Sequence, residues 1–238
     1  MLSYCLAVFV LARLRLVAFV ALAGLVLAGC SHVGVEGVGS PEPSGEPTVE
    51  MKIVDADGDG YLDWPDGVIG RGYVIPSQPV GAPPLPQWVK DFNPEMPALA
   101  REPSEEGAKA FAEYVFASDF YEFNTGTTLI ARSLVDKTYE DRLKQLDETD
   151  GLIGNGKWGR IDELKMIGTS VELEGDQKYF IRVKYAISPP YPNSKDLSSL
   201  GLIEHEGGVM LVFDRDHGWK VHELAYANGT FNQYLEDK

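Results

Sequence analysis

The sequence predicts an α+β fold in which N-terminal helices pack in a curved antiparallel sheet, preceded by a signal segment and a linker. Three observations predict it. Ala108, Phe111, Ala112, Val115, Phe116, Phe120 and Phe123 recur at helical spacing. Ile181, Val183, Tyr185 and Ile187 alternate with Arg182, Lys184 and Ala186, the period of a half-buried strand. Two further strand-like runs, 209–213 and 219–226, flank the turn Asp214-Arg215-Asp216-His217-Gly218 and form a hairpin. Helices first and a sheet second is the order of an α+β domain.

The N-terminus reads as an export signal. Arg13 and Arg15 precede an apolar run from Leu16 to Val26, and the first acidic residue is Glu36. A cationic flank, an apolar run and then small residues make a secretory signal peptide. The run ends Leu27-Ala28-Gly29-Cys30. Leu, two small residues and Cys match the bacterial lipobox, in which the thiol takes a diacylglycerol before cleavage. Cys30 is therefore expected to be the acylated first residue of a lipoprotein anchored at the extracytoplasmic face of the cell membrane. The alternative is a plain membrane anchor, since residues 1–29 exceed the roughly 20 apolar residues a span needs.

Cleavage before Cys30 removes Cys5 and leaves no partner for an internal disulfide. The chain carries a net charge of −15; without Arg13 and Arg15 it is 19 − 36 = −17. Such a surface repels phosphate backbones, which argues against nucleic acid as a partner. Attachment to membrane lipid is then the work of acyl chains on Cys30, not of a basic patch.

Residues 30–92 read as a tether. Ser40-Pro41-Glu42-Pro43-Ser44-Gly45-Glu46-Pro47 cannot build a core, and 67–97 is rich in Pro and Gly. Within it lies the acidic segment 55–66. A calcium loop takes oxygens from positions 1, 3, 5, 7, 9 and 12, with Gly at 6 for a sharp turn. Here those are Asp55, Asp57, Asp59, the Tyr61 carbonyl, Asp63 and Asp66, with Gly60 at the turn. Asp replaces the usual Glu at the last position, and helical flanks are missing. The competing reading is an acidic turn closed by its own side chains.

Residues 93–238 are expected to form the domain. Ser104 caps the long helix, with Glu105 and Glu106 in its first turn, and Asn124-Thr125-Gly126 ends it. Shorter helices are expected over 129–134 and 140–146, a mixed strand over 159–173, and Pro189-Pro190-Tyr191-Pro192 closes the strand before it. Asn228-Gly229-Thr230 reads as a turn. His205, His217 and His222 show no ligand spacing. Tyr114, Asp119, Tyr121 and Glu223 are the residues from which an isomerase-like acid–base site would be drawn, although helical aromatic spacing is ordinarily core.

The stretch Glu106-Gly107-Ala108-x-x-Phe111-x-x-Tyr114, with Phe120-Tyr121, Thr125-Gly126 and Leu129, resembles an actinobacterial lipoprotein family of unknown function (domain of unknown function 6318). The cysteine pair that the resemblance implies after the second helix is absent; the chain reads Leu134-Val135-Asp136-Lys137. The element order is similar to the cone of nuclear transport factor two and the ketosteroid isomerases. That resemblance implies a sheet wrapped on the long helix, and it implies no activity, because the fold hosts enzymes and binding modules alike. Three functions are consistent with the sequence. One is a non-catalytic surface module for a small apolar ligand or another envelope protein. The others are an isomerase-like enzyme and a calcium-dependent structural spacer.

Overall fold

A computed structural model describes residues 53–78, 82, 84–157, 159–175, 178–189 and 201–226. All described residues belong to one compact unit, Val49–Lys238. The signal segment, Cys30, most of the tether, Pro190-Tyr191-Pro192 and Asn228-Gly229-Thr230 lie outside the described residues.

The described chain forms α1 (Gln87–Asp91), α2 (Glu105–Thr125), α3 (Leu129–Leu134), α4 (Glu140–Gly154), β1 (Leu164–Gly175), β2 (Lys178–Ile187), β3 (Ile203–Asp214) and β4 (Gly218–Tyr226). The four strands make one antiparallel sheet in the order β1-β2-β3-β4. A mixed helix-plus-antiparallel-sheet fold is therefore what the sequence folds into.

α2 begins and ends where its chemistry says. Ser104 Oγ accepts from the Gly107 N–H at 3.1 Å, closing the first turn. Gly126 terminates the helix at φ 74°, a left-handed conformation that costs glycine nothing. Phe111, Phe116 and Phe120 on this helix are buried against Ile181, Val183, Tyr185, Val209 and Leu211 of the sheet. Register explains the shared face: Ile181 lies opposite Val209, and Tyr179 opposite Leu211. The other face carries a charged row, in which Arg182 pairs with Glu172 and Glu206.

Two boundaries differ from the sequence reading. The third of the expected helices continues past 146 to Gly154, because Asp150 accepts from Thr128 and Arg132 of the neighbouring α3 region, while Thr149 Oγ1 donates back to the Gln145 carbonyl within the helix. More consequentially, the domain does not start at 93. Trp64, Val68 and Val89 are buried, and Trp64 and Val89 join the same core as α2 and the sheet. Trp64 Nε1 donates to Ser133 Oγ at 2.6 Å, and Trp88 Nε1 to the Ile161 carbonyl at 2.9 Å. The Pro- and Gly-rich stretch is a belt across the domain. Among its described residues α1 is the one α-helix and no strand forms, yet it supplies aromatic anchors to the core.

Candidate functional site

The acidic loop folds on its own carboxylates. Asp55 accepts from the N–H groups of Gly58 (2.7 Å), Asp59 (3.1 Å) and Gly60 (2.9 Å). Asp63 accepts from the Ala56 N–H at 2.7 Å, and the Asp63 N–H donates to Val54 O. Gly60 turns at φ 91°. The result brings ligand oxygens of Asp55, Asp57 and Asp63 within 4.8 Å of one another at the surface.

Asp59 and Asp66 of the expected oxygen set take other partners. Asp59 Oδ2 is 2.5 Å from His217 Nε2, whose Nδ1 is 3.0 Å from Asp214 Oδ1. The Tyr61 N–H bond and the neighbouring His217 hold the Asp59 carboxyl below the usual aspartate range. Asp66 is 3.6 Å from Arg71. Tyr61 is buried, its ring 4.4 Å from His217 and 4.2 Å from Lys220 Nζ. Lys137 Nζ donates to the Asp59 carbonyl at 2.8 Å. Two lysines and a histidine thus clamp the loop to β4 and the segment after α3. Burial pushes the Lys220 ammonium down to about 8, although it donates to Ser133 O at 2.9 Å.

Between α2 and the sheet the interior is occupied by aromatic rings. Phe116 lies 5.5 Å from Tyr185 and 5.1 Å from Tyr226; Phe120 lies 5.1 Å from Tyr185 and 6.0 Å from Tyr226. Such edge and tilted contacts fill volume efficiently. Packing reaches the backbone: a Cβ at Gly207 would meet the Phe116 ring at 2.5 Å.

The residues from which an acid–base site would be drawn do not converge. Tyr114 OH donates to the Pro94 carbonyl at 2.6 Å, and Tyr121 packs on Phe92 and Tyr73. Glu223 is exposed on β4. Asp119 alone enters a polar network: its Oδ2 accepts from Arg142 Nη2 and from Tyr226 OH, each at 2.5 Å. One helical turn on, Glu122 is buried and caps α3, accepting from the N–H groups of Ile130 (2.5 Å) and Ala131 (2.8 Å). Burial raises the Glu122 carboxyl well above its ordinary range, against the two N–H bonds that favour its charge.

Sequence reading missed this network. Its signal was two carboxylates, Asp119 and Glu122, three apart within an otherwise aromatic stretch of α2. Charges on a buried stripe require partners. Arg142 supplies one and the start of α3 the other. Of the histidines, His205 stacks on Tyr185 and His222 Nδ1 is buried without a hydrogen-bond partner among the described residues. Neither joins the acidic cluster.

No curated protein matches the chain. Among solved structures, it is similar to an Ntf2-like protein involved in plasmid conjugation, with 18% identity over 53% of this chain and a TM-score of 0.28. The match spans 50% of that structure's length. Residues 93–191, from the approach to α2 through the end of β2, match the model of a family of unknown function, DUF6318.

Proposed function

We propose that this chain is a lipid-anchored extracytoplasmic binding module, held to the cell membrane through acylated Cys30 and built on a cone-like domain that does no chemistry. Its partner is an envelope protein or a small ligand. The anchor rests on the Leu27-Ala28-Gly29-Cys30 motif. The non-catalytic reading rests on one observation: the place where a cone fold keeps a substrate is filled by Phe116, Phe120, Tyr185 and Tyr226. An isomerase-like enzyme needs that space for a ligand.

Benzene distinguishes the two. An apolar hole left by deleting a core side chain stays dry and accepts benzene. Wild type is expected to melt at the same temperature with and without it. Phe120→Ala should lose about 3–5 kcal/mol and recover part of that loss when benzene is added. Saturable binding by wild type marks an open cone and favours the isomerase-like alternative.

A second reading concerns the acidic loop. Asp55, Asp57 and Asp63 offer hard oxygen ligands close together, and they are the residues that would hold a calcium ion. Three carboxylates fit such an ion as part of its shell. Bound there, the ion supplies a positive charge that relieves their mutual repulsion. Because Tyr61 and Trp64 fix the loop to the core, binding to the folded state should raise the melting temperature by mass action. The affinity expected is of the weak extracellular type, Kd about 0.1–1 mM. Calcium titration of the melting temperature, wild type against Asp55→Ala/Asp63→Ala, checks this. An equal response of both proteins at millimolar calcium rejects it.

A further inference from the structure

α2, α3 and α4 enclose a partly open cavity of about 40 Å³, lined on its polar side by Asp119, Glu122, Arg142, Gln145 and the threonines 127, 128 and 149. None of its lining residues comes from the sheet. At roughly 10–15 Å³ per water on this measure, it admits about three water-sized groups. Helices that pack around a hole are ordinarily most stable when they line it with apolar side chains, because buried ion pairs are costly. This one is lined instead by three buried ionisable groups.

Those charges are already compensated. Arg142 Nη2 is bound to Asp119 Oδ2, and Glu122 lies on the N–H groups that open α3. Neither an anion nor a cation is then drawn in by net charge: an anion meets Asp119 and Glu122, and a cation meets Arg142. Directional hydrogen bonds are what the cavity has left. The Arg142 fork holds Gln145 through Nη1 and Asp119 through Nη2, so amide and carboxylate stand side by side on one guanidinium. The amide nitrogen of Gln145 and the second oxygen of Asp119 are spent on no other described residue. One donates and the other accepts, and both residues line the cavity. A group that both accepts and donates is a hydroxyl, and two such groups on neighbouring carbons fit the volume.

The geometry points to this cavity as a binding site for a neutral polyhydroxyl ligand, read through two neighbouring hydroxyls of a sugar or polyol. It rests on the binding-module reading and replaces the apolar ligand there with a polar one. The site lies outside the aromatic interior, so the benzene experiment and the one below fail independently.

Glycerol, acetate and methylammonium are titrated separately, at matched concentrations, into the ¹⁵N-labelled full chain in detergent micelles. Glycerol is expected to shift the amides of Thr128, Ala131, Gln145 and Thr149 saturably, while the two ions leave them unmoved. Gln145 lies on the half-exposed side of α4, and Gln145→Ala keeps a good helix former there. That variant should weaken glycerol about tenfold, the effect of one lost hydrogen bond; it also leaves Arg142 Nη1 without its Gln145 partner, so binding is read at a temperature where circular dichroism shows the variant folded. Thr149→Ala, which leaves both hydrogen-bonding groups in place, should bind within about twofold of wild type. Three results overturn the proposal: localised saturable shifts with acetate or methylammonium, no saturable glycerol shift, or a Gln145→Ala protein that binds as wild type does.

Discussion

A chain that starts at residue 93 is expected not to fold cooperatively, whereas one that starts at Val49 is expected to melt as the full-length protein does. The shorter fragment loses Trp64, Val68 and Val89, all buried. Removing one buried Trp or Phe side chain ordinarily costs about 3–5 kcal/mol. A whole domain is stable by only about 5–15 kcal/mol. The loss also leaves Ser133 Oγ and the Ile161 carbonyl without the indole N–H groups that now serve them. Those losses fall on α3 and on the entry to the sheet, far apart in sequence, so the fragment cannot repair them locally. Circular dichroism in rising denaturant measures the effect. A sigmoidal transition for 93–238 at the full-length midpoint shows instead that the belt is dispensable, and that the domain begins where composition alone puts it.

The reason that boundary was hard to read is physical. Period reports helices and strands, and residues 53–92 contain almost none. Pro and Gly set backbone conformation but do not say whether a chain is packed. What they obscured was Trp64, Tyr73 and Trp88, aromatic residues with too much apolar area to leave in water. α2 was legible because its apolar residues recur at helical spacing and both caps are local, Ser104 at one end and Gly126 at the other. β2 and the hairpin were legible by alternation and by the turn at 214–218.

The site was legible only in part. Asp55, Asp57 and Asp63 converge as the loop spacing implies, because that spacing is local. Asp59 does not, since its partner His217 stands 158 residues away. Arg142 meeting Asp119, and Tyr226 meeting the same oxygen, are likewise tertiary pairings. No spacing rule announces them. Only the oddity of carboxylates on a buried aromatic stripe does.

Anchoring through Cys30 is the claim on which the proposed function turns, and its effect is all-or-none. The apolar run before it ends in Leu27-Ala28-Gly29, and the next residue carries the only thiol left once the signal is removed. With its net negative charge the remaining chain has no electrostatic route to an anionic bilayer. One acyl chain holds a protein only marginally, whereas two or more hold it stably. Mass spectrometry of the N-terminal peptide from protein purified out of membranes is the direct measurement. The expected peptide begins at Cys30 with a diacylglycerol on sulfur, and Cys30→Ser abolishes both the adduct and membrane retention. An N-terminal peptide that still contains residues 1–29 without an acyl group contradicts the account.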